Sequence, residues 1–183
     1  MVPLKVFGIG WQVRQAFCAG PTCSPSRAAL LTGESPHNNG MLGLAHRGFA
    51  LKDYRHHLLH TLRPAGYVSV LSGMQHIANT AEVPWQRIGY DLFLGPPATA
   101  HEHAAAFLDA TPRQPFFLDV GFQETHRAFP APGPAEDARY CVPPPHLPDC
   151  QETRLDMARF KAGARILDAK IGMVLAALQC NRL

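Results

Sequence analysis

Several features are scarce in these 183 residues, and each scarcity narrows what the chain can do. No apolar run approaches the roughly 20 residues that cross a bilayer, so no membrane span is expected. The apolar part of Met1–Gly10 is too short to read as a signal peptide. Charged residues make up only 17% of the chain, and the net excess of +3 is not gathered into a basic run. No nucleic-acid partner is implied. The five cysteines, Cys18, Cys23, Cys141, Cys150 and Cys180, form no C-x-x-C pair and no Cys/His zinc spacing. Cys141 and Cys150 could close a loop in an oxidising compartment, which the sequence leaves open. Repeats and low-complexity tracts are missing. So are acidic residues before Cys23.

What is present is globular. Hydrophobic residues reach 46%, enough to bury the core of one domain spanning residues 1–183. Seventeen prolines and fifteen glycines predict long irregular connections. Trp11–Cys18 reads as a short strand or extended segment. Ser24–Leu31 reads as a helix capped by Ser24, with Pro25 in its first turn and Gly33 ending it. Cys23 then lies beside a helix N-terminus, where exposed N–H groups favour negative charge. Glu34–Asp53 reads as loop, Tyr54–Arg63 as a helix and Tyr67–Leu71 as a strand. Asn79–Ala98 is mixed. His101–Ala110 predicts a helix, Pro115–Phe122 a strand, and Ala128–Pro148 a proline-rich loop. Met157, Phe160, Ala164, Leu167, Ile171, Val174 and Leu178 recur at helical spacing and predict a last helix with one buried face. Alternating helices and apolar strands argue an α/β fold on a mostly parallel sheet.

The strongest local signal is Cys23-Ser24-Pro25-Ser26-Arg27, followed by Thr32-Gly33. Here the chain resembles the formylglycine-dependent sulfatases, whose signature is C-x-P-S-R and then T-G. Further segments agree in order. They are Ser35–Met41, Ala65-Gly66-Tyr67 through Gly73-Met74-Gln75-His76, Pro115–Leu118 through Thr125-His126-Arg127, and Leu167-Asp168-Ala169-Lys170-Ile171-Gly172. The resemblance covers about residues 11–180, and the wording at Asn39–Met41 and Thr125–Arg127 is nearest to the heparan N-sulfatase branch. It implies an alkaline-phosphatase-like α/β fold with helices on both sides of the sheet. It also implies hydrolysis of a sulfate ester or sulfamate, on sulfated carbohydrate, with calcium. A formylglycine-generating enzyme would be a further partner. Relatives are often periplasmic, secreted or lysosomal, and the sequence does not fix the location.

The chemistry explains the residue types. A serine could attack sulfur once, but it has no second hydroxyl with which to expel sulfate; a hydrated aldehyde has two. A divalent metal neutralises sulfate and lowers the nucleophile's pKa. Histidines titrate near neutrality and suit the proton transfers. By resemblance, Cys23 becomes the formylglycine nucleophile and a metal ligand, and Arg27 holds its hydroxyl. His76 takes the second hydroxyl's proton and contacts the substrate. His126 contacts sulfate and protonates the leaving oxygen.

The sequence also departs from the family pattern. The family's first metal ligands are adjacent Asp residues on an N-terminal strand, and its second pair follows the last helix; neither is recognisable here. Met74 stands where the family has a Lys. The expectation is a domain incomplete at both ends, with weak or no calcium binding and little turnover. The alternative is a truncated or catalytically inactive sulfatase-like module. A cysteine phosphatase would need C-x5-R, and the spacing here is C-x3-R. His56, His57 and His60 form H-H-x-x-H without the Glu of a zinc protease and read as a solvated helix face.

Overall fold

A computed structural model describes residues 15–79 and 83–183. Three strands, β1 (Val68–Gly73), β2 (Leu92–Phe93) and β3 (Phe116–Gly121), form a sheet in the order β2-β1-β3. Both pairings are parallel, so each chain crossover must pass outside the sheet. Helices α1 (Cys23–Thr32), α2 (Pro36–Asn39) and α3 (Leu58–Leu62) precede β1. Helix α4 (Pro84–Ile88) leads into β2, and α5 (Ala100–Asp109) links β2 to β3. The long α6 (Gln151–Cys180) closes the chain.

Side-chain alternation along β3 divides the core in two. Phe116, Leu118 and Val120 point to one face, where they pack with Ala104 and Leu108 of α5 and Val174 and Ala177 of α6. Phe117 points to the other face, together with Leu71, Met41, Leu59, Ile77 and Ile88. Asp119 shares the parity of Phe117, so it is directed to the face that also receives α1. The predicted architecture, a parallel sheet with helices on both sides, is present.

The strand expected over Tyr67–Leu71 begins one residue later and ends two residues later, because Ser72 and Gly73 also pair with β3. Ser72 is tolerated in the buried strand because its hydroxyl donates to the Ala100 carbonyl at 2.7 Å. Trp11, Val13 and their neighbours to residue 14 lie outside the described residues, and Gln15–Cys18 has no regular structure. Within Glu34–Asp53, Ser35 caps α2 by accepting from Asn38 N–H, so this stretch is not all loop. The helix expected over Tyr54–Arg63 is broken at His57, whose backbone is extended at φ −65°, ψ 138°. Its Nδ1 instead accepts the Leu59 N–H, capping α3.

Two further expectations are corrected. Thr22 occupies the N-cap of α1, not Ser24. Ser24 is buried, and its Oγ accepts the Ala45 N–H at 3.0 Å, joining α1 to the turn at Ala45–Arg47. On α6, Phe160 is 38% exposed, while Ala158, Ala162, Gly163, Val174 and Ala177 are buried. Small residues make that seam, with Gly163 close to the Pro130 ring. All five cysteines are free, so the loop closure considered for Cys141 and Cys150 is not made.

The strand ends require glycine. Gly73 and Gly121 sit opposite each other, and Met74 N–H donates to the Gly121 carbonyl at 2.9 Å. A Cβ on Gly121 would lie 1.9 Å from the Met74 oxygen, and one on Gly73 would lie 2.1 Å from the Gly121 oxygen. Both obstacles are backbone, which cannot rotate away. Gly121→Ala is expected to destabilise the chain by about 3 kcal/mol in urea unfolding. Gly172→Ala, on open helical surface, is expected to stabilise it by about 0.5 to 1 kcal/mol in the same measurement.

Candidate active site

A cavity of about 830 Å³ opens at the carboxyl ends of β1 and β3, where ligand sites of parallel sheets gather. Cys23, Arg27, His76 and His126 all line it, although they come from three separate segments. Cys23 is the first residue of α1. The N-cap Thr22 makes no side-chain bond, so the dipole end of the helix is open to an anion. Arg27 follows one turn later on the same face.

Arg27 locks this helix to the sheet. Its Nε donates to the Gln75 carbonyl at 2.7 Å, and its Nη2 donates to the Met74 carbonyl at 3.0 Å. Nη2 also lies 3.6 Å from Asp119 Oδ1 on β3. Two of its five N–H donors are committed to these backbone carbonyls.

His76 lies three residues after β1 in a left-handed backbone conformation, φ 50°. Its Nε2 lies 3.1 Å from Nδ1 of His46. The two rings are parallel to within 4°, with centroids 5.4 Å apart. Those figures fit an edge-to-edge N–H···N bond between coplanar rings rather than face stacking. Partial burial holds the His76 pKa below its ordinary 6.5, and the neighbouring His46, Arg27 and His126 add to this. The ring is therefore neutral at neutral pH and able to accept a proton. His126 is exposed, and its Nδ1 faces the Arg127 carbonyl at 2.7 Å. A carbonyl can only accept, so Nδ1 carries a proton and Nε2 is the atom available for transfer.

Helix α6 holds the His126 loop from below. Lys170 Nζ donates to Glu124 Oε1 at 2.5 Å, and Arg127 pairs with Asp156 while lying over the Phe129 ring. The cavity also has an apolar lining, from Trp85, Phe93, Phe122 and Pro97. The Trp85 and Phe93 rings lie 6.1 Å apart at 18°. Met74 lines the floor, and no lysine lines the cavity among the described residues.

Sequence reasoning missed the support behind Arg27. Tyr90 donates its hydroxyl to Asp119 Oδ2 at 2.7 Å and lies 3.3 Å from Nε2 of His57. His57 is 0% exposed, which overturns the solvated-face reading of His56, His57 and His60. Of that trio, only His56 behaves as expected, pairing with Glu34 at the surface. His60 bonds the Ile88 carbonyl at 2.8 Å. The signal that could have marked His57 is its place one residue before an apolar Leu-Leu pair, where a cap is needed.

A calcium site does not assemble from these residues alone. Among the described residues, no group of three or more His, Cys, Asp or Glu side chains could hold a metal ion. The two nearby carboxylates are already engaged, Asp119 by Tyr90 and Arg27, and Glu124 by Lys170.

The family profile named Sulfatase matches residues 9–183. Human N-sulphoglucosamine sulphohydrolase is 34% identical over 122 residues, which is 62% of this chain and 24% of that protein. Dog N-acetylgalactosamine-6-sulfatase is 35% identical over 91 residues, 44% of this chain and 17% of that protein. Among solved structures, a protein from a Bacteroides thetaiotaomicron locus for metabolism of multiple glycosaminoglycans superposes with a TM-score of 0.70 at 18% identity. It covers 91% of this chain and 47% of the other. Ps i-CgsB, solved with k-i-k-neocarrahexaose, gives 0.63 at 18% identity, over 90% of this chain and 46% of the other. The chain spans a quarter or less of these curated relatives and under half of these structures. The chain belongs to the sulfatase family.

Burial, then the neighbouring His60 and Arg27 charges, push the His57 pKa down to about 4 from 6.5. Between those values the unfolded chain binds a proton that the folded chain refuses. Stability is therefore full above pH 6.5 and falls as pH drops towards 4, by about 3 kcal/mol from this residue. Urea unfolding of the wild type and His57→Gln across that range is expected to show a shallower acid loss in the variant.

Proposed function

We propose that this sulfatase-family chain carries the nucleophile and proton-transfer groups of an enzyme that hydrolyses a sulfate ester or sulfamate on a sulfated carbohydrate. The observation that carries this reading is convergence. Cys23, Arg27, His76 and His126 lie up to 103 residues apart in sequence, yet they line one cavity at the strand ends. The curated relatives named above are a sulphohydrolase and a sulfatase of amino sugars, which supports the substrate class.

Each residue has a physical task. The open end of α1 and the Arg27 guanidinium favour the negatively charged sulfate group of such a substrate. The hydrate of formylglycine, once a formylglycine-generating enzyme had made the aldehyde from Cys23, would supply one hydroxyl that, on losing its proton, bonds to sulfur as the alcohol or amine leaves, and a second whose proton loss restores the aldehyde and expels sulfate. His76, kept neutral, accepts the proton of the second hydroxyl. His126, when protonated, donates from Nε2 to the leaving oxygen, because Nδ1 is held by the Arg127 carbonyl. The face formed by Trp85 and Phe93 suits the C–H face of a sugar ring. Calcium would need ligands from outside the described residues, and no step above depends on it.

Met74 favours a second reading, a sulfatase-like module that binds a sulfated glycan without turnover. A neutral thioether replaces a cation beside the sulfate position, which weakens charge stabilisation there. Co-expression with a formylglycine-generating enzyme separates the two. The expected result is a chain about 18 Da lighter at residue 23, with aryl-sulfate turnover that is lost in Cys23→Ala. A modified chain that binds but does not turn over supports the module. An intact thiol at residue 23 contradicts the formylglycine assignment.

A further inference from the structure

Two buried polar side chains and one partly buried carboxylate stand behind Arg27 without lining the cavity. They are Asp119 on β3, Tyr90 just before β2, and His57 at the start of α3. Tyr90 is 4% exposed and His57 is fully enclosed. Apolar side chains of similar shape would fill the same space at no desolvation cost, so packing alone does not explain them.

The direction of every proton in the chain follows from the donors. The Leu59 N–H can only donate, so Nδ1 of His57, at 3.1 Å, must accept. The neutral ring then holds its proton on Nε2, which donates to Tyr90 Oη at 3.3 Å. The one hydroxyl proton of Tyr90 is left for Asp119 Oδ2 at 2.7 Å. The other carboxylate oxygen faces Arg27 Nη2 at 3.6 Å. The series therefore starts on the backbone of α3 and ends on a carboxylate that cannot turn from Arg27 without losing Tyr90.

We propose that Asp119, backed by Tyr90 and His57, is a positioning relay that fixes the plane and direction of the Arg27 guanidinium. None of the three touches the cavity, so none is a catalytic residue. Two backbone carbonyls hold one edge of the guanidinium, and the Asp119 carboxylate faces the same Nη2 at 3.6 Å, drawing it towards β3. The consequence for turnover rests on the sulfate-hydrolysing reading above; the consequence for Arg27 itself does not.

The test uses the whole chain, 15N-labelled, with the Arg27 Nε–H resonance assigned by its loss in Arg27→Lys. In the wild type, this N–H donates to the Gln75 carbonyl in a part-buried contact, and slow exchange with water is the expected baseline. Tyr90→Phe deletes a single hydroxyl and keeps the ring. The expected result is exchange of the Arg27 Nε–H about tenfold faster, with its chemical shift moved and the backbone amide spectrum preserved. Asp119→Asn, which keeps an acceptor for Tyr90 but loses the charge, is expected to act the same way, and it decides the matter if Tyr90→Phe does not fold. An unchanged Arg27 signal in a folded variant, even with a lower Tm, makes the three residues mere scaffold and overturns the relay. In the matured chain, Tyr90→Phe is expected to lower kcat on an aryl sulfate about tenfold with little change in KM. If the wild type shows no turnover, the functional reading fails by itself and the Arg27 signal still decides the relay.

Discussion

One guanidinium holds this site together. Arg27 reaches from α1 to the carbonyls of Met74 and Gln75, at the point where β1 gives way to the loop carrying His76. Because Cys23 lies one helical turn earlier, the same bonds fix where residue 23 meets the sheet. Asp119 brings β3 into the arrangement, and His126 follows β3 by a single short loop. Removing Arg27 would leave two carbonyls and a largely buried carboxylate without their donor, so position and stability are coupled here. Charge-assisted bonds of this kind are stronger than neutral ones, which suits a contact that must hold a helix end against a sheet edge.

The two faces of the sheet contribute differently. On one face, α5 and α6 bury Phe116, Leu118 and Val120, and α6 then projects Lys170 and Asp156 to steady the His126 loop. On the other face, α1, α3 and the turn after α2 enclose Leu71, Phe117 and the polar series from His57 to Asp119. The strands can end this close together only because Gly73 and Gly121 present no Cβ. Packing on both faces thus converges on a cavity lined by Arg27, His76 and His126 and by the aromatic rings of Trp85 and Phe93. A charged group and a ring can be held at once.

Much of this was legible from the residues. The parallel sheet followed from apolar strands separated by helical segments, and the signature at Cys23–Arg27 pointed to one end of it. What was not legible depended on distance in sequence. Asp119 sits inside an apolar strand, and nothing local shows that the Tyr90 hydroxyl, 29 residues away, donates to it. His57 resembled its exposed neighbours because composition cannot reveal that a ring caps a helix inside the core. On α6, the eye follows large residues such as Phe160, whereas close approach selects Ala158, Ala162 and Gly163. Ser24 was read as a cap by residue type, but a buried hydroxyl found the Ala45 amide across a longer span. In each case tertiary partners overrode a local preference.

The open end of α1, Arg27 and the two strand-end imidazoles form a single anion-binding site in this account. A titration with inorganic sulfate, followed by NMR at the Cys23 amide, the Arg27 Nε–H and the rings of His76 and His126, tests that directly. The four signals are expected to move together along one saturating curve. Shifts at Arg27 without the imidazoles, or confined to basic residues away from the cavity, would contradict it.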